Sequence, residues 1–262
     1  MFKDNKWYFL QILGVIAFMI VLALVIAGGQ FSFLGEAGLT ADWTNIFGEG
    51  NINTGFRKAP AFTIAYTKDY RAKIETNLGT LEVDLLERGA PKTVNNFVFL
   101  AEKTYYNGTS FHRLIKDLLI QGGDRNTLNK NANDDGFGDP GYQIDDEINW
   151  DRLSLTSVQK QALTDEGFKS TPVVLSENLG KYMIAMANEG KPNTNGSQFF
   201  VVFRDSEEIS NLNGRHTVFG KVIGGFDVIE KMNNSAIDNS DPNNPKPKDK
   251  ITINNVKIEI VE

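Results

Sequence analysis

The sequence predicts a mainly β domain, and three stretches carry that prediction. Residues 70–85 alternate apolar and polar side chains around the turn Asn77-Leu78-Gly79, a pattern typical of a β-hairpin. Residues 199–203 form a continuous apolar run, and residues 251–261 place isoleucine and valine at spacings typical of a strand. We therefore expect a β-rich domain that covers residues 68–262.

Composition narrows the possible functions of the chain. It has 262 residues, 41% of them hydrophobic, with a formal net charge of −6 and no basic stripe, so a nucleic-acid partner is not expected. Cysteine is absent and there are only two histidines, His112 and His216. Disulfides, thiol nucleophiles and Cys- or multi-His-ligated metals are therefore excluded. We expect no cofactor and no metal site.

A stretch near the N-terminus predicts a membrane anchor. Residues 7–27 are 21 residues without a charge, long enough for a helix that crosses a bilayer. Lys3 and Lys6 precede this stretch, and the next basic residue is Arg57. The positive-inside rule then predicts residues 1–6 in the cytoplasm and the rest of the chain outside it. A cleaved signal peptide, with small residues at 27–29, is the alternative, but its apolar run is usually shorter.

Residues 28–67 are predicted to be a spacer between the anchor and the domain. Glycine, asparagine and threonine dominate there, and no strand or helix period is sustained. The spacer also carries aromatic and aliphatic residues such as Phe31, Trp43 and Phe47, which could dock near the membrane surface or against the domain.

Two helices are predicted within the domain. Pro91 near a first turn and apolar residues at Val94, Phe97, Val98 and Ala101 indicate an amphipathic helix. Residues 153–167 also have helical spacing, through Leu155, Val158 and Ala162. Residues 126–143 are rich in asparagine, aspartate and glycine and are expected to be an exposed loop. The acidic residues between 134 and 147 could suggest calcium, but their spacing does not match an EF-hand loop, so a solvated loop is expected instead.

Three separated motifs point to a function. The first is Phe111-His112-Arg113-Leu114-Ile115 followed by Gln121-Gly122-Gly123-Asp124; the others are residues 186–200 (MANEGKPNTNGSQFF) and residues 214–222 (GRHTVFGKV). In isolation, residues 186–200 could be an ordinary loop that runs into a strand, with Phe200 in the core. Together, and in this order, the motifs resemble the cyclophilin family of peptidyl-prolyl isomerases.

The resemblance covers roughly residues 68–262 and implies an architecture. The expected fold is mainly β, a closed eight-stranded antiparallel barrel capped by two helices and preceded here by the transmembrane helix. The barrel interior is filled by side chains, so substrate is expected on the outer wall. The implied activity is rotation of X–Pro bonds in proteins outside the cytoplasm, which assists their folding. A monomeric, membrane-anchored bacterial member of the family is the expectation, with proline-containing polypeptides and the lipid bilayer as partners.

The resemblance also implies roles for ten residues. Arg113 corresponds to the catalytic arginine, and Gln121 to the glutamine that orients it and contacts the substrate carbonyl. Phe200 corresponds to the floor of the proline pocket, and His216 to its far wall. The remaining substrate-binding positions are Gln198, Leu118, Leu119, Ala187, Asn188 and Leu212.

The sequence departs from the family pattern in the proline pocket. Leu118 and Leu119 stand where the family usually has an aromatic residue and a methionine, which keeps apolar volume but loses a ring face. Lys191 is an extra residue in the rim loop, and Glu189 replaces a small residue there. Substrate preference and turnover are the properties that these changes put in question.

Two other functions are open at this stage. One is a proline-directed binding module or holdase on the same scaffold with little turnover, which a collapsed Leu118–Leu119 pocket would favour. The other is a hydrolase that uses Ser197 with His216. Ser197 lacks the Gly-x-Ser-x-Gly elbow, and no partner acid is identifiable.

Overall fold

The structure is a computed structural model that describes residues 55–242 and 244–261. Within these ranges no helix has the length and apolar character needed to cross a bilayer. The predicted transmembrane helix at residues 7–27 lies outside the described residues, as do residues 1–6 and 28–54 of the predicted tail and spacer.

The described chain contains eleven strand segments and four α-helices. The strands are β1 Asp69–Thr76, β2 Gly79–Leu85, β3 Ser110–Phe111, β4 Arg113–Ile115, β5 Leu119–Gly122, β6 Met183–Met186, β7 Phe199–Val202, β8 Val218–Gly224, β9 Ile237–Asp238, β10 Lys246–Pro247 and β11 Ile251–Val261. The helices are α1 Pro91–Glu102, α2 Ser157–Asp165, α3 Glu207–Ser210 and α4 Phe226–Asn233, with short 3-10 helices at Arg125–Leu128 and Trp150–Arg152.

Nine of the strands form one antiparallel sheet that curls into a nearly closed barrel. Their order is β3–β11–β1–β2–β8–β6–β7–β5–β4. The two end strands, β3 and β4, are consecutive in the chain and separated only by His112, whose amide donates to the Gln121 carbonyl. The predicted mainly β antiparallel barrel is therefore confirmed, with nine strand segments instead of eight, because the 110–115 strand is interrupted at His112.

Strand alternation sorts side chains between the inside and the outside of this barrel. Leu114, Ile120 and Val201 belong to the main buried cluster. Arg113, which precedes Leu114, and Gln121, which follows Ile120, do not belong to it. Successive side chains of a strand point to opposite faces, so the neighbours lie on the outer wall. The outer wall is where the resemblance predicts the substrate.

Helix α1 covers one end of the barrel as predicted. Val94, Phe97, Val98 and Ala101 are all buried against it. Ala90, at its N-cap, has no side-chain cap. The Glu147 carboxylate instead accepts hydrogen bonds from the Lys92 and Thr93 amides at 2.9 and 2.8 Å.

The predicted helix in residues 153–167 forms, but with a different buried face. Helix α2 begins at Ser157 and ends at Asp165, and Val158, predicted on the apolar stripe, is 79% exposed. Leu163 is the buried residue of this helix, and Leu155 packs on the same cluster from outside the helix. The prediction of the stripe was wrong because Leu155 precedes the Thr156 capping box, which sets the start of the helix.

Part of the predicted spacer packs on the barrel. Residues 55–67 run beside helix α1, where the Thr63 amide donates to Asn95 Oδ1 at 2.7 Å and Phe56 meets Phe99 edge to face at 4.9 Å. Ile64 is buried in the main core. Phe56 and Ile64 therefore serve packing here, whereas Phe62 and Tyr66 are exposed.

Candidate active site

Four neighbouring strands bring key predicted residues into one row. Arg113 on β4 is paired with Gln121 on β5, Gln121 with Phe200 on β7, and Phe200 with Ala185 on β6. Adjacent strands lie about 4.8 Å apart, so the row spans roughly 15 Å of the outer wall. The antiparallel register thus places a cation, an amide and an aromatic ring side by side.

The guanidinium of Arg113 is the charged end of this row. Its side chain is half-buried, and burial lowers the pKa of the guanidinium from its usual value. An arginine remains protonated at any working pH despite such a shift. Within the described ranges, no hydrogen bond or ion pair of this side chain is found. The site therefore holds a cation whose donors are available to a ligand.

Gln121 and Gln198 form a short amide chain beside Arg113. Gln121 Nε2 donates to Gln198 Oε1 at 2.9 Å, and Gln198 Nε2 donates to the carbonyls of Gly136 and Gly138 at 2.9 and 2.8 Å. This arrangement fixes the orientation of both amides, and no residue of the described ranges donates to Gln121 Oε1, which lies next to the Arg113 strand.

The loop that receives Gln198 is held by a residue whose role the sequence did not reveal. Asp124 is fully buried, and its carboxylate accepts from the amides of Asn126 and Gly136. Gly138 packs so close to this carboxylate that a Cβ there would clash with it. Asp124 is the last residue of the Gln121-Gly122-Gly123-Asp124 motif, and the motif alone does not indicate that it anchors a loop.

The apolar end of the row is a second buried cluster, separate from the barrel interior. It comprises Leu119, Leu179, Met183, Ala185, Phe200, Val202, Ile209 and Val218, with Leu118, Ala187 and Leu212 packed at its border. Leu119 is 5% exposed and Phe200 is 3% exposed. Leu119, which stands where the family usually has a methionine, is thus part of the cluster around Phe200. Leu118, at the position of the usual aromatic residue, packs at its border.

His216 stands across Phe200. The two ring centroids are 5.3 Å apart at 87°, an edge-to-face contact, and His216 Nδ1 is 3.0 Å from the Met186 carbonyl oxygen. Burial lowers the pKa of this imidazole, the Met186 bond opposing the shift, so the ring is neutral near pH 7. A neutral imidazole suits the wall of an apolar pocket.

Ala187 and Asn188 form the rim of a neighbouring cavity. The Ala187 amide donates to the Gln198 carbonyl at 2.9 Å, and Asn188 Nδ2 donates to the Arg215 carbonyl at 2.8 Å. The cavity, of about 430 Å³, is also lined by Gln121 and by Phe137, which is 79% exposed. Phe137 belongs to the loop expected to be exposed, and nothing in the sequence indicates that it lies at this rim.

A second cleft is lined by Arg113 itself. Its volume is about 650 Å³, and the β9–β10 segment contributes Asp238 and Lys246 to its lining. Residues 241–247 are rich in proline and asparagine, a composition typical of turns, but composition does not place this segment beside the arginine.

The geometry does not support a serine hydrolase. Ser197 is 1% exposed, and its hydroxyl donates to the Gly123 carbonyl at 2.8 Å. His216 contacts the Met186 carbonyl instead of this hydroxyl. A serine nucleophile needs a base within hydrogen-bond reach, and His216 forms no hydrogen bond with Ser197. Nor does the described part of the chain contain a cluster of three His, Asp or Glu side chains that could hold a metal.

Known proteins match this chain over the barrel. The family model for cyclophilin type peptidyl-prolyl cis-trans isomerase/CLD matches residues 71–258. Peptidyl-prolyl cis-trans isomerase-like 1 of Neurospora crassa is 37% identical over 168 residues, which cover 64% of this chain and 83% of that protein. The Mus musculus protein of the same name is 37% identical over 159 residues, which cover 61% of this chain and 76% of that protein. Isomerase-like 2 of Rhizopus delemar is 35% identical over 187 residues, but this chain spans only 28% of its length.

Solved structures agree with these sequence matches. A crystal structure of a cyclophilin type peptidyl-prolyl cis-trans isomerase from Cryptosporidium parvum is 32% identical, with a TM-score of 0.54, and the match covers 73% of this chain and 98% of that one. The same protein crystallised in the presence of the dipeptide Ala-Pro gives a TM-score of 0.53. By its motifs, its barrel and these relatives, the chain belongs to the cyclophilin-type peptidyl-prolyl cis-trans isomerases.

Proposed function

We propose that this chain accelerates rotation of X–Pro bonds through Arg113, with the proline ring held in the Phe200 pocket. The observation that carries the proposal is the row on the outer wall. It sets the half-buried guanidinium of Arg113 two strands from Phe200, with Gln121 between them. A cation-donor and an apolar cluster around Phe200 at this separation fit the nitrogen of an X–Pro bond and its proline ring.

The chemistry required is stabilisation of a twisted amide. The X–Pro bond has partial double-bond character, and its rotation barrier is about 18–20 kcal/mol. At the twisted midpoint the proline nitrogen leaves resonance and its lone pair becomes a hydrogen-bond acceptor. A donor fixed near that nitrogen binds the twisted state and not the planar one, which lowers the barrier. Arg113 offers several donors in one plane for this role.

Arg113 supplies only part of the expected acceleration. A charge-assisted hydrogen bond contributes about 1.5–3 kcal/mol net, and each tenfold in rate needs about 1.36 kcal/mol. This hydrogen bond is thus expected to accelerate rotation by about ten- to a hundredfold. The rest must come from holding the proline ring among Phe200, Leu119 and His216 while the preceding residue rotates.

A binding module with little turnover is the second candidate. Leu118 and Leu119 favour it, because they provide apolar surface to grip proline without the ring face expected at this position. Such a module would bind X–Pro peptides in the same pocket. It would then leave their cis–trans exchange rate unchanged.

A protease-coupled isomerisation assay on an X–Pro peptide distinguishes these candidates. We expect the full chain to be active and Arg113→Ala to lower kcat/KM about tenfold or more, since it removes the donor. Arg88→Ala, at an exposed arginine outside the site, is the matched control. Peptide binding without turnover would favour the binding module, and an unchanged kcat/KM in Arg113→Ala would refute the role of Arg113.

We further propose that the barrel works outside the cytoplasm, on unfolded or newly exported polypeptides, as a single-pass membrane protein. Support comes from the charge-free residues 7–27, from Lys3 and Lys6 before them, and from the lack of a basic residue until Arg57. The relatives named above are eukaryotic, so the bacterial origin expected from the sequence remains a prediction. We also propose that the protein is monomeric, and this too remains a prediction.

A further inference from the structure

The segment around helix α2 has a small core of its own. Ile148, Trp150, Leu153, Leu163 and Phe168 form a buried cluster distinct from the two clusters of the barrel. Helix α2 starts with a Thr156–Gln159 capping box, and Leu163 is 1% exposed. Residues 150–168 are therefore a packed unit with a fixed shape. Such a unit can hold the segments that it contacts in a defined position.

This unit touches the loop that carries the far wall of the proline pocket. Glu166, directly after α2, binds Arg215 with both carboxylate oxygens, at 2.9 Å from Nε and 2.6 Å from Nη2. Beside this pair, Leu163 fills the space over Gly214, where an added Cβ would lie 2.5 Å from Leu163 Cδ1. Gly214 also has φ +85°, which a larger residue would adopt only with strain. The unit thus makes one ionic and one apolar contact with the same turn, at Gly214 and Arg215.

From Arg215 the contacts continue into the site. Its Nη1 donates to the Asn211 carbonyl at 3.1 Å, and its own carbonyl accepts from Asn188 Nδ2 at 2.8 Å. The next residue is His216, whose ring meets Phe200 edge to face. Residues 211–216 are therefore held by α2 on one side and by the rim of the site on the other.

We propose that residues 150–168 act as a buttress for the proline pocket, with Glu166 as a positioning residue for the loop that carries Leu212 and His216. The inference rests on the proposed function for its effect on substrate, but not for its effect on His216. An exposed ion pair adds little to global stability. A bidentate fork does fix orientation, because two parallel hydrogen bonds restrict rotation of both groups. The predicted consequence is a change of pocket geometry without unfolding.

The test measures peptide affinity and turnover in Glu166→Gln with the full chain. Loss of the charged fork should loosen one wall of the pocket, so KM for an Ala-Pro peptide should rise about two- to fivefold. Arg113 and Gln121 lie on the other side of Phe200, and kcat should therefore change less than KM. Glu177→Gln, at an exposed carboxylate in the loop between α2 and β6, is the matched control.

A second readout does not depend on turnover. The chain has only two histidines, so the imidazole NMR signals of His216 and His112 are readily separated. Glu166→Gln should shift or broaden the His216 signals and leave those of His112 unchanged. If the wild type proves inactive, the proposed function fails while this readout still tests the buttress.

A double-mutant cycle completes the experiment. If Glu166 acts through Arg215, the effects of Glu166→Gln and Arg215→Gln on KM and on the His216 signals should not add. Additive effects, or a Glu166→Gln protein with the KM and His216 signals of the wild type, would overturn the proposal.

Discussion

At the scale of single residues, the half-burial of Arg113 makes its shape as important as its charge. Partial removal from water strengthens any hydrogen bond it makes, and the planar fork presents donors without further ordering. A lysine ammonium is a compact, strongly hydrated point charge and would have to lose that hydration to act in the same place. We therefore expect Arg113→Lys to retain the charge but to lose most of the activity.

Arg113→Lys should accordingly lower kcat/KM by about tenfold, since the fork cannot be reproduced by one donor. The same peptide assay and the Arg88→Ala control apply. Activity of Arg113→Lys equal to that of the wild type would mean that charge alone suffices, and the fork argument would then be wrong.

The neighbouring residue, His112, predicts a pH dependence of stability. It is 4% exposed, and neither ring nitrogen has a hydrogen-bond partner among the described residues. Burial, together with the nearby positive charges of Lys246 and Arg113, lowers the pKa of His112 to about 4. The unfolded chain, with a pKa near 6.5, takes up this proton first as the pH falls. Stability from His112 is therefore lost between about pH 6.5 and pH 4.

His112→Gln isolates this contribution, because all other titrating groups are common to both proteins. Between pH 7 and pH 4.5 the free energy of unfolding of the wild type should fall by about 2–3 kcal/mol more than that of the variant. Denaturant unfolding at the two pH values measures the difference. Identical pH dependence in the two proteins would show that His112 does not titrate in this window.

At the scale of secondary-structure elements, helix α1 depends on a residue far away in the chain. Its N-cap residue, Ala90, offers no side-chain oxygen, and Glu147 receives the free amides of Lys92 and Thr93. The Thr93 hydroxyl donates to the same carboxylate at 2.8 Å. Burial raises the pKa of Glu147, opposed by these hydrogen bonds, so the carboxylate is stabilised mainly by its bonds to the helix.

Glu147→Ala should destabilise the barrel by about 2–3 kcal/mol, because it leaves buried donors without a partner. Glu147→Gln should cost less, since the amide oxygen can still accept a hydrogen bond. Asp145→Ala is the control: it removes only an exposed ion pair with Lys92, at 3.2 Å, and surface pairs are worth about 0–1 kcal/mol. Equal losses in Glu147→Ala and Asp145→Ala would contradict the capping role.

The contrast between α1 and α2 explains what the sequence could predict about elements. Periodicity identified α1 with its buried face because Pro91 marks its start and its apolar stripe packs on the barrel. It identified α2 but not its buried face, because Leu155 and Leu163 reach one cluster from different local structures. Contacts such as Glu166–Arg215 and Glu147–Thr93 join distant parts of the chain, and no local pattern encodes them.

At the scale of the whole molecule, the site depends on a strand pairing between segments that are distant in sequence. Arg113 and Gln121 lie on consecutive strands, and the β5–β7 register brings Phe200, far along the chain, beside Gln121. The motifs predicted which residues belong to the site, because a family resemblance carries positions along with function. They did not predict the walls supplied by Phe137 and Lys246, which belong to segments without a motif.

The final prediction concerns the orientation of the whole chain in a membrane. Lys3 and Lys6 precede the charge-free residues 7–27, and no basic residue follows before Arg57. Positive charges resist translocation, so the N-terminus should stay inside while the barrel crosses. In spheroplasts of an expressing bacterium, added protease should digest the barrel and spare a cytoplasmic marker. The variant Lys3→Glu/Lys6→Glu, with two lysines inserted after Gly29, should reverse the outcome. A protected wild-type barrel, or a soluble form that begins near Gln30, would contradict the anchor.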